Sequence, residues 1–243
     1  MHIKSYRILL CFIGSLLCHP TPAQLNATFY TDAGKTAMSN GFYLRTAGMA
    51  AYRFGNNQVG AGGQIDLVRY HENRSPGAYL DYSRFFSIRQ FPLHAKGFFL
   101  HNRFSDLMYE TNWGLLLESE QRHFVFRLGT HFRTFGHTHK AYELFEIENT
   151  EKVHENFNLL YSVSYFLKPR DSKWSLGITV TDLDHFLINQ ETNPVFYLRG
   201  MYRINEPLEV FLESWYKSAG ALNLSVNPFG FFFRTGVLWK IEI

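Results

Sequence analysis

Three groups of residues in this 243-residue chain are of types that do chemistry. Ser162 and Ser164 share one face of an alternating segment, and His131 lies on the matching face of the segment before it. A Ser–His–carboxylate relay needs its members within hydrogen-bond reach. No nucleophile motif surrounds either serine, and stretch 135–155 need not bring these groups together. Small polar side chains filling an interior account for them, so no catalytic residue is assigned. The second group is histidine: His71, His137, His139, His154 and His185 fall in or beside the longer connections. GHTHK puts His137 and His139 on one side of any extended segment, where two imidazoles could face a metal. Solvated loop histidines explain the same pattern, and neither a metal nor a cofactor is assigned. The third group is charge. Arg45, Asp66, Asp81, Arg127, Arg133, Arg199, Arg203, Glu209, Glu213 and Arg234 occupy the polar positions of segments whose alternate residues are apolar.

Strands must position these groups. Period-two alternation predicts strands over Leu25–Ala33, Tyr43–Phe54, Gln58–Tyr70, Ala78–Ile88, Leu93–Phe104 and Thr111–Glu118. Six more follow over Arg122–Thr134, Asn156–Lys168, Lys173–Asp182, Val195–Ile204, Leu208–Lys217 and Phe229–Ile243, and no convincing amphipathic helix interrupts them. Many run to about 10 residues, the length of a tilted membrane-crossing strand. The connections alternate. GNN, RQFP, SEQ, PRDS and NEP are short, whereas those around 34–41, 71–77, 105–110, 135–155, 185–194 and 218–228 are longer. Such a meander reads as an all-β, up-and-down antiparallel transmembrane β-barrel of about 12 strands, with short periplasmic turns and longer extracellular loops. The even count puts both ends of the barrel chain on the periplasmic side.

The first residues stand outside that pattern. Lys4 and Arg7 precede an apolar run from Ile8 to Cys18, and Thr21 and Ala23 sit three and one positions before Gln24. That layout predicts a signal peptide over 1–23, cleaved to leave one barrel domain over 24–243. Both cysteines, Cys11 and Cys18, lie in the leader, so no disulfide framework is expected. Without Lys4 and Arg7 the chain carries 22 basic and 21 acidic residues. A near-neutral balance makes nucleic acid an improbable partner.

A soluble β-sandwich also alternates, so the composition of the two faces decides the orientation. Phe54, Tyr165, Trp174, Tyr202 and Trp239 map to the short-turn end, and Trp113, Phe132, Phe157, Phe229 and Phe231 to the other. Two aromatic girdles facing lipid, with mixed charges facing a lumen, fit the outer membrane. The inward charges have two readings. They line a narrow aqueous pathway, or they pair across the lumen and occlude it. The second suits a barrel narrower than the 16–18-stranded porins, and Phe98, Phe166 and Phe232 face inward by parity to help fill it.

The C-terminal half, FNLLYSVSYFLKPRDSKWSLGITVTDL, then FYLRGMYRINEPLEVFLESWYKS and the last strand, resembles the type IX secretion PorP/SprF barrels of Bacteroidota. A G-x-S-x-x-N-L-like segment becomes Gly177 to Leu183, with Thr179 and Asp182 substituted. A G-Y-R-like strand becomes Gly200 to Arg203 with Met201 inserted, and a P-S-x-x-K-like strand becomes Glu213 to Lys217 without the proline. That family's usual motif after the leader is absent beyond Gln24, and the chain ends on Ile243 where most outer-membrane barrels end on an aromatic. The resemblance implies a non-enzymatic accessory or structural component of an outer-membrane secretion or surface assembly. Its partners would be outer-membrane lipid, the barrel assembly machinery, and membrane or secreted proteins. A narrow channel for small solutes is the alternative, and a lipid-modifying barrel enzyme comes third.

Overall fold

The computed structural model describes residues 23–36, 42–68, 77–103, 107–145, 152–183, 190–217 and 229–242. Twelve antiparallel strands follow in chain order: β1 Ala23–Thr36, β2 Phe42–Phe54, β3 Asn57–Asp66, β4 Gly77–Ile88, β5 Phe91–Arg103 and β6 Met108–Glu120. The second half comprises β7 Phe124–His137, β8 Val153–Phe166, β9 Trp174–Leu183, β10 Gln190–Arg203, β11 Leu208–Lys217 and β12 Phe229–Glu242. Each pairs with its neighbours in sequence, and β1 pairs with β12 to close the ring. Closure leaves no open edge, so the strand backbone is satisfied within the wall, as a bilayer requires.

Burial shows which way the wall faces. Leu115, Leu128 and Leu159 are 65%, 59% and 56% exposed, while Asp32, Glu213 and Arg234 are fully buried. A soluble barrel has the reverse distribution, with its apolar face inward. This one turns its apolar face to lipid and its charges to the lumen. Inward glycines make room for inward rings: a Cβ on Gly114 would collide with Phe98, and one on Gly177 with Phe166. Phe98, Phe166 and Phe232, the three phenylalanines expected to face inward, are buried, and Phe211 joins them.

The structure differs from the sequence reading in three respects: strand bounds, a helix and the β7–β8 register. β6 begins at Met108 rather than Thr111, and β3 ends at Asp66, short of Tyr70. A short helix, α1 (His139–Phe145), follows β7. Seven residues make too few turns to show a helical period, and α1 buries only Ala141. The third difference lies in β8, where the β7–β8 register shifts between His131 and Arg133. The extra residue on β8 is a β-bulge between Glu155 and Asn158, while Phe157 stays in phase with Leu159 and is 70% exposed.

The two tightest turns, Gly55–Asn56 and Arg89–Gln90, both begin with a residue at positive φ, 54° for Gly55 and 56° for Arg89. Two-residue hairpins of this sense favour glycine at that position. Arg89 is the only non-glycine residue at positive φ among the described residues. Arg89→Gly should therefore stabilise the folded barrel by about 1 kcal/mol, measured as a shift of the urea midpoint in detergent.

Candidate functional site

Strand register turns scattered inward charges into an ordered row. Asp66 on β3 lies opposite Arg45 on β2, and Arg45 lies opposite Asp32 on β1. Asp32 faces Arg234 on β12, Arg234 faces Glu213 on β11, and Glu213 faces Arg199 on β10. The signs alternate over six consecutive strands, with three carboxylates and three guanidiniums, so the row is neutral.

Asp32 is the hub. Its Oδ1 accepts from Arg234 Nε at 2.6 Å, and its Oδ2 accepts from Arg45 Nη2 at 2.5 Å and Arg234 Nη2 at 3.1 Å. Glu213 Oε2 accepts from Trp215 Nε1 at 2.7 Å, and Glu213 Oε1 lies 3.4 Å from Arg199 Nε. The Arg234 guanidinium packs over the Tyr30 ring at 4.2 Å and the Trp215 ring at 4.8 Å. Charge pairing, hydrogen bonding and ring contact together offset the desolvation that each ion would otherwise suffer.

Other pairs continue around the lumen. Arg127 bonds Glu118, with His94 Nδ1 3.7 Å from the same carboxylate. Arg133 bonds Asn112 Oδ1 at 3.2 Å and lies 3.4 Å from Glu110, while Lys96 lies 3.9 Å from Asp81. Towards the short turns, Arg203 and Lys240 both reach Glu209 at 3.1 Å. The ten charges singled out in the sequence thus all lie on the inner face. Sequence reasoning missed Asp32, although its parity with Thr28 and Tyr30 on β1 carried the signal.

Apolar side chains occupy the space between these pairs. One buried cluster gathers Tyr30, Tyr79, Phe98, Leu100, Leu116, Leu160, Met201 and Phe211. Phe98 on β5 and Phe211 on β11 are six strands apart in a ring of twelve, so residues of opposite walls share one cluster. Beside the charge row, Tyr197 stacks on Trp215 at 4.1 Å and Trp215 on Phe232 at 5.3 Å.

The serine and histidine groups are not brought together. His131 pairs with Asn158, whereas Ser162 pairs with Arg127, four positions along the strand from His131. That offset is about 13 Å. Ser164 accepts a hydrogen bond from Thr179 at 2.8 Å. The loop histidines also separate. His137 ends β7, but His139 opens α1, so the two are not on one extended face. His137 meets the Tyr142 ring edge-on, His139 Nδ1 lies 3.3 Å from Glu143, and His154 Nδ1 lies 3.1 Å from Thr134 Oγ1. His71 and His185 lie outside the described residues, among which no group of three metal-binding side chains forms.

Outside, Trp113, Phe132, Phe157 and Phe231 are exposed towards the long loops, and Tyr165, Trp174, Tyr202 and Trp239 towards the short turns. Phe54 is half-buried and stacks on Tyr52. Phe229 pairs through its backbone with Thr36, and its side chain lies outside the described residues. Trp113 is not at a strand end. It lies five residues inside β6, because Met108–Asn112 extend the wall above it. Phe99, Trp113 and Phe132 form one cross-strand row. On β7, Phe124 and Phe132 are eight residues apart, about 26 Å of strand, which at a tilt of about 40° crosses about 20 Å of the ~25 Å apolar band of outer-membrane barrels.

No protein-family model matches the sequence, and no curated protein is significantly similar to it. Among solved structures, NanC porin aligns with a TM-score of 0.52 at 10% identity, over 89% of this chain and 100% of that one. KdgM porin aligns with a TM-score of 0.51 at 10% identity, over 88% of this chain and 98% of that one. KdgM porin in complex with disordered oligogalacturonate gives the same TM-score and coverage at 9% identity. At such identities the likeness is one of fold. With its apolar belt and closed ring, the chain is a twelve-stranded transmembrane β-barrel of the outer membrane.

Proposed function

We propose that this barrel is a non-enzymatic, non-conducting component of the outer membrane, serving as an accessory or structural part of a secretion or surface assembly. The observation that carries this reading is the apolar cluster that joins opposite walls of the lumen. Pairing of the luminal ions supports it, since charges already neutralised by their neighbours have little to offer a passing ion. The likeness of the C-terminal half to PorP/SprF barrels points to secretion as the setting. The long-loop end, which carries α1 with Leu144 and Phe145 exposed, is then the surface offered to membrane or secreted partners. Insertion would depend on the barrel assembly machinery. Purified protein in planar bilayers should give no discrete conductance steps, and native extraction in mild detergent should recover a stoichiometric protein partner.

A narrow channel for small solutes is the second reading. It is favoured by the fold likeness to two porins, one of them solved with oligogalacturonate, an acidic saccharide. Each luminal arginine has a carboxylate beside it, so the lumen favours neither sign of solute. Stable conductance steps in the bilayer experiment would replace the first reading with this one.

A further inference from the structure

Two glycines on the lipid-facing side have no packing reason to be glycine. A Cβ on Gly97 would come no closer than 3.6 Å to Leu115, and one on Gly200 no closer than 3.9 Å to Leu212, both ordinary contacts. A β-branched residue at either position would suit a strand better. Glycine inside a strand often marks a place where another molecule approaches closely. Each of the two is the floor of an exterior groove. The Gly97 groove encloses about 640 Å³ between Leu80, Tyr82, Phe99, Trp113, Leu115 and Phe132. The Gly200 groove encloses about 530 Å³ between Trp174, Leu176, Tyr202, Val210, Leu212 and Thr235. Both fall within the ~300–1,000 Å³ of small-molecule sites.

The Gly200 groove also has charge at its mouth. Trp174 and Tyr202 are directly paired across β9 and β10 at the short-turn end. Lys168 Nζ lies 3.7 Å above the Trp174 ring, and Lys173 Nζ lies 5.8 Å from the Tyr202 ring. Two ammonium groups on the same turn are thus held over the two aromatic rings that frame the groove. At this end Glu120 is engaged by Arg170, and Glu209 by Arg203 and Lys240. Asp171 on the same turn and Glu206 on the next are also exposed at this end. The floor is apolar and faces lipid, and the two lysines over its rings put positive charge at the level of the headgroups.

We propose that the Gly200 groove is a binding site for an anionic phospholipid of the periplasmic leaflet. An acyl chain lies along Gly200 between Leu176 and Leu212, and the headgroup phosphate sits between Lys168 and Lys173. The site is independent of whether the lumen conducts. The test uses full-length, delipidated barrel and native mass spectrometry with phosphatidylglycerol or phosphatidylcholine. Two lysines at the headgroup level should give about a 30-fold preference for phosphatidylglycerol. The double variant Lys168→Ala/Lys173→Ala should reduce that preference to within about two-fold. Gly200→Leu should displace the bound lipid whatever its headgroup, whereas Gly97→Leu, in the groove without paired lysines, should leave the preference unchanged. Heat-modifiable migration on a gel checks that every variant is folded. A preference that survives loss of both lysines overturns the proposal. So does a Gly200→Leu barrel that retains lipid like the parent, or a protein segment crosslinked into the groove in place of lipid.

Discussion

Arg234→Ala should cost the folded barrel about 3–5 kcal/mol, the largest loss expected from a single charge in this chain. The reason is geometric. Arg234 is fully buried, donates twice to Asp32 and lies 3.9 Å from Glu213, so its removal leaves two buried carboxylates short of a cation. Arg45 still reaches Asp32 and Arg199 still faces Glu213, but each then carries a carboxylate that two guanidiniums had shared. Lys240→Ala is the matched comparison. Lys240 bonds Glu209, but its side chain is 44% exposed, and Arg203 remains on the same carboxylate. A partly solvated pair of that kind contributes about 0–1 kcal/mol. Urea unfolding in detergent micelles, followed by gel migration and far-UV circular dichroism, separates the two. If both variants lose stability equally, the charge row is not what holds this side of the lumen together.

The second large effect concerns passage. Phe98→Ala combined with Phe211→Ala should convert a silent barrel into one with discrete conductance steps. These rings come from opposite walls and belong to the cluster that fills the lumen, so shortening both withdraws the fill from each side at once. In a dry core each such truncation costs about 3–5 kcal/mol. Here the space left opens beside ion pairs and can take up water, so the loss should fall below that range while the backbone ring is kept. Bilayer recordings of the parent and the double variant at matched protein amounts supply the comparison. A double variant that folds and stays silent would mean that these two rings are not what closes the path, leaving the rest of the cluster, the Tyr197–Trp215–Phe232 stack and the charge row to do so. Steps already present in the parent would mean that the lumen was never closed.

Much of this architecture is legible in the sequence, and the legible part follows from period two. Alternation on β7 places Phe124, Phe126, Leu128 and Phe132 on one face and Val125, Arg127, His131 and Arg133 on the other, and the barrel keeps both sets where parity puts them. What alternation cannot supply is the pairing offset between strands. Arg45, Glu213 and Arg234 can each be read as inward, but nothing local says that they share one row with Asp32 and Asp66. Nor does alternation reveal a bulge, which is why the register shift between β7 and β8 cannot be read from the sequence. The Gly200 groove was hidden for a related reason. A glycine flanked by Arg199 and Met201 announces nothing until Trp174, Leu212 and the lysines of the next turn are placed around it.

The bond between Asp32 and Arg234 joins residues 202 positions apart, across the seam where the first strand meets the last. No turn joins these two strands, so connectivity does not set their alignment as it does in a hairpin. A slip of one residue would turn Arg234 out into hydrocarbon. A slip of two would keep it inside but set it against Tyr30 or Gly34, with Asp32 left facing Phe232 or Gly236. Each mistaken closure strands a charge, and only the correct one cancels it. The ion pair therefore makes one alignment of the seam cheaper than its neighbours, so the register of the closed ring is written in a single buried contact.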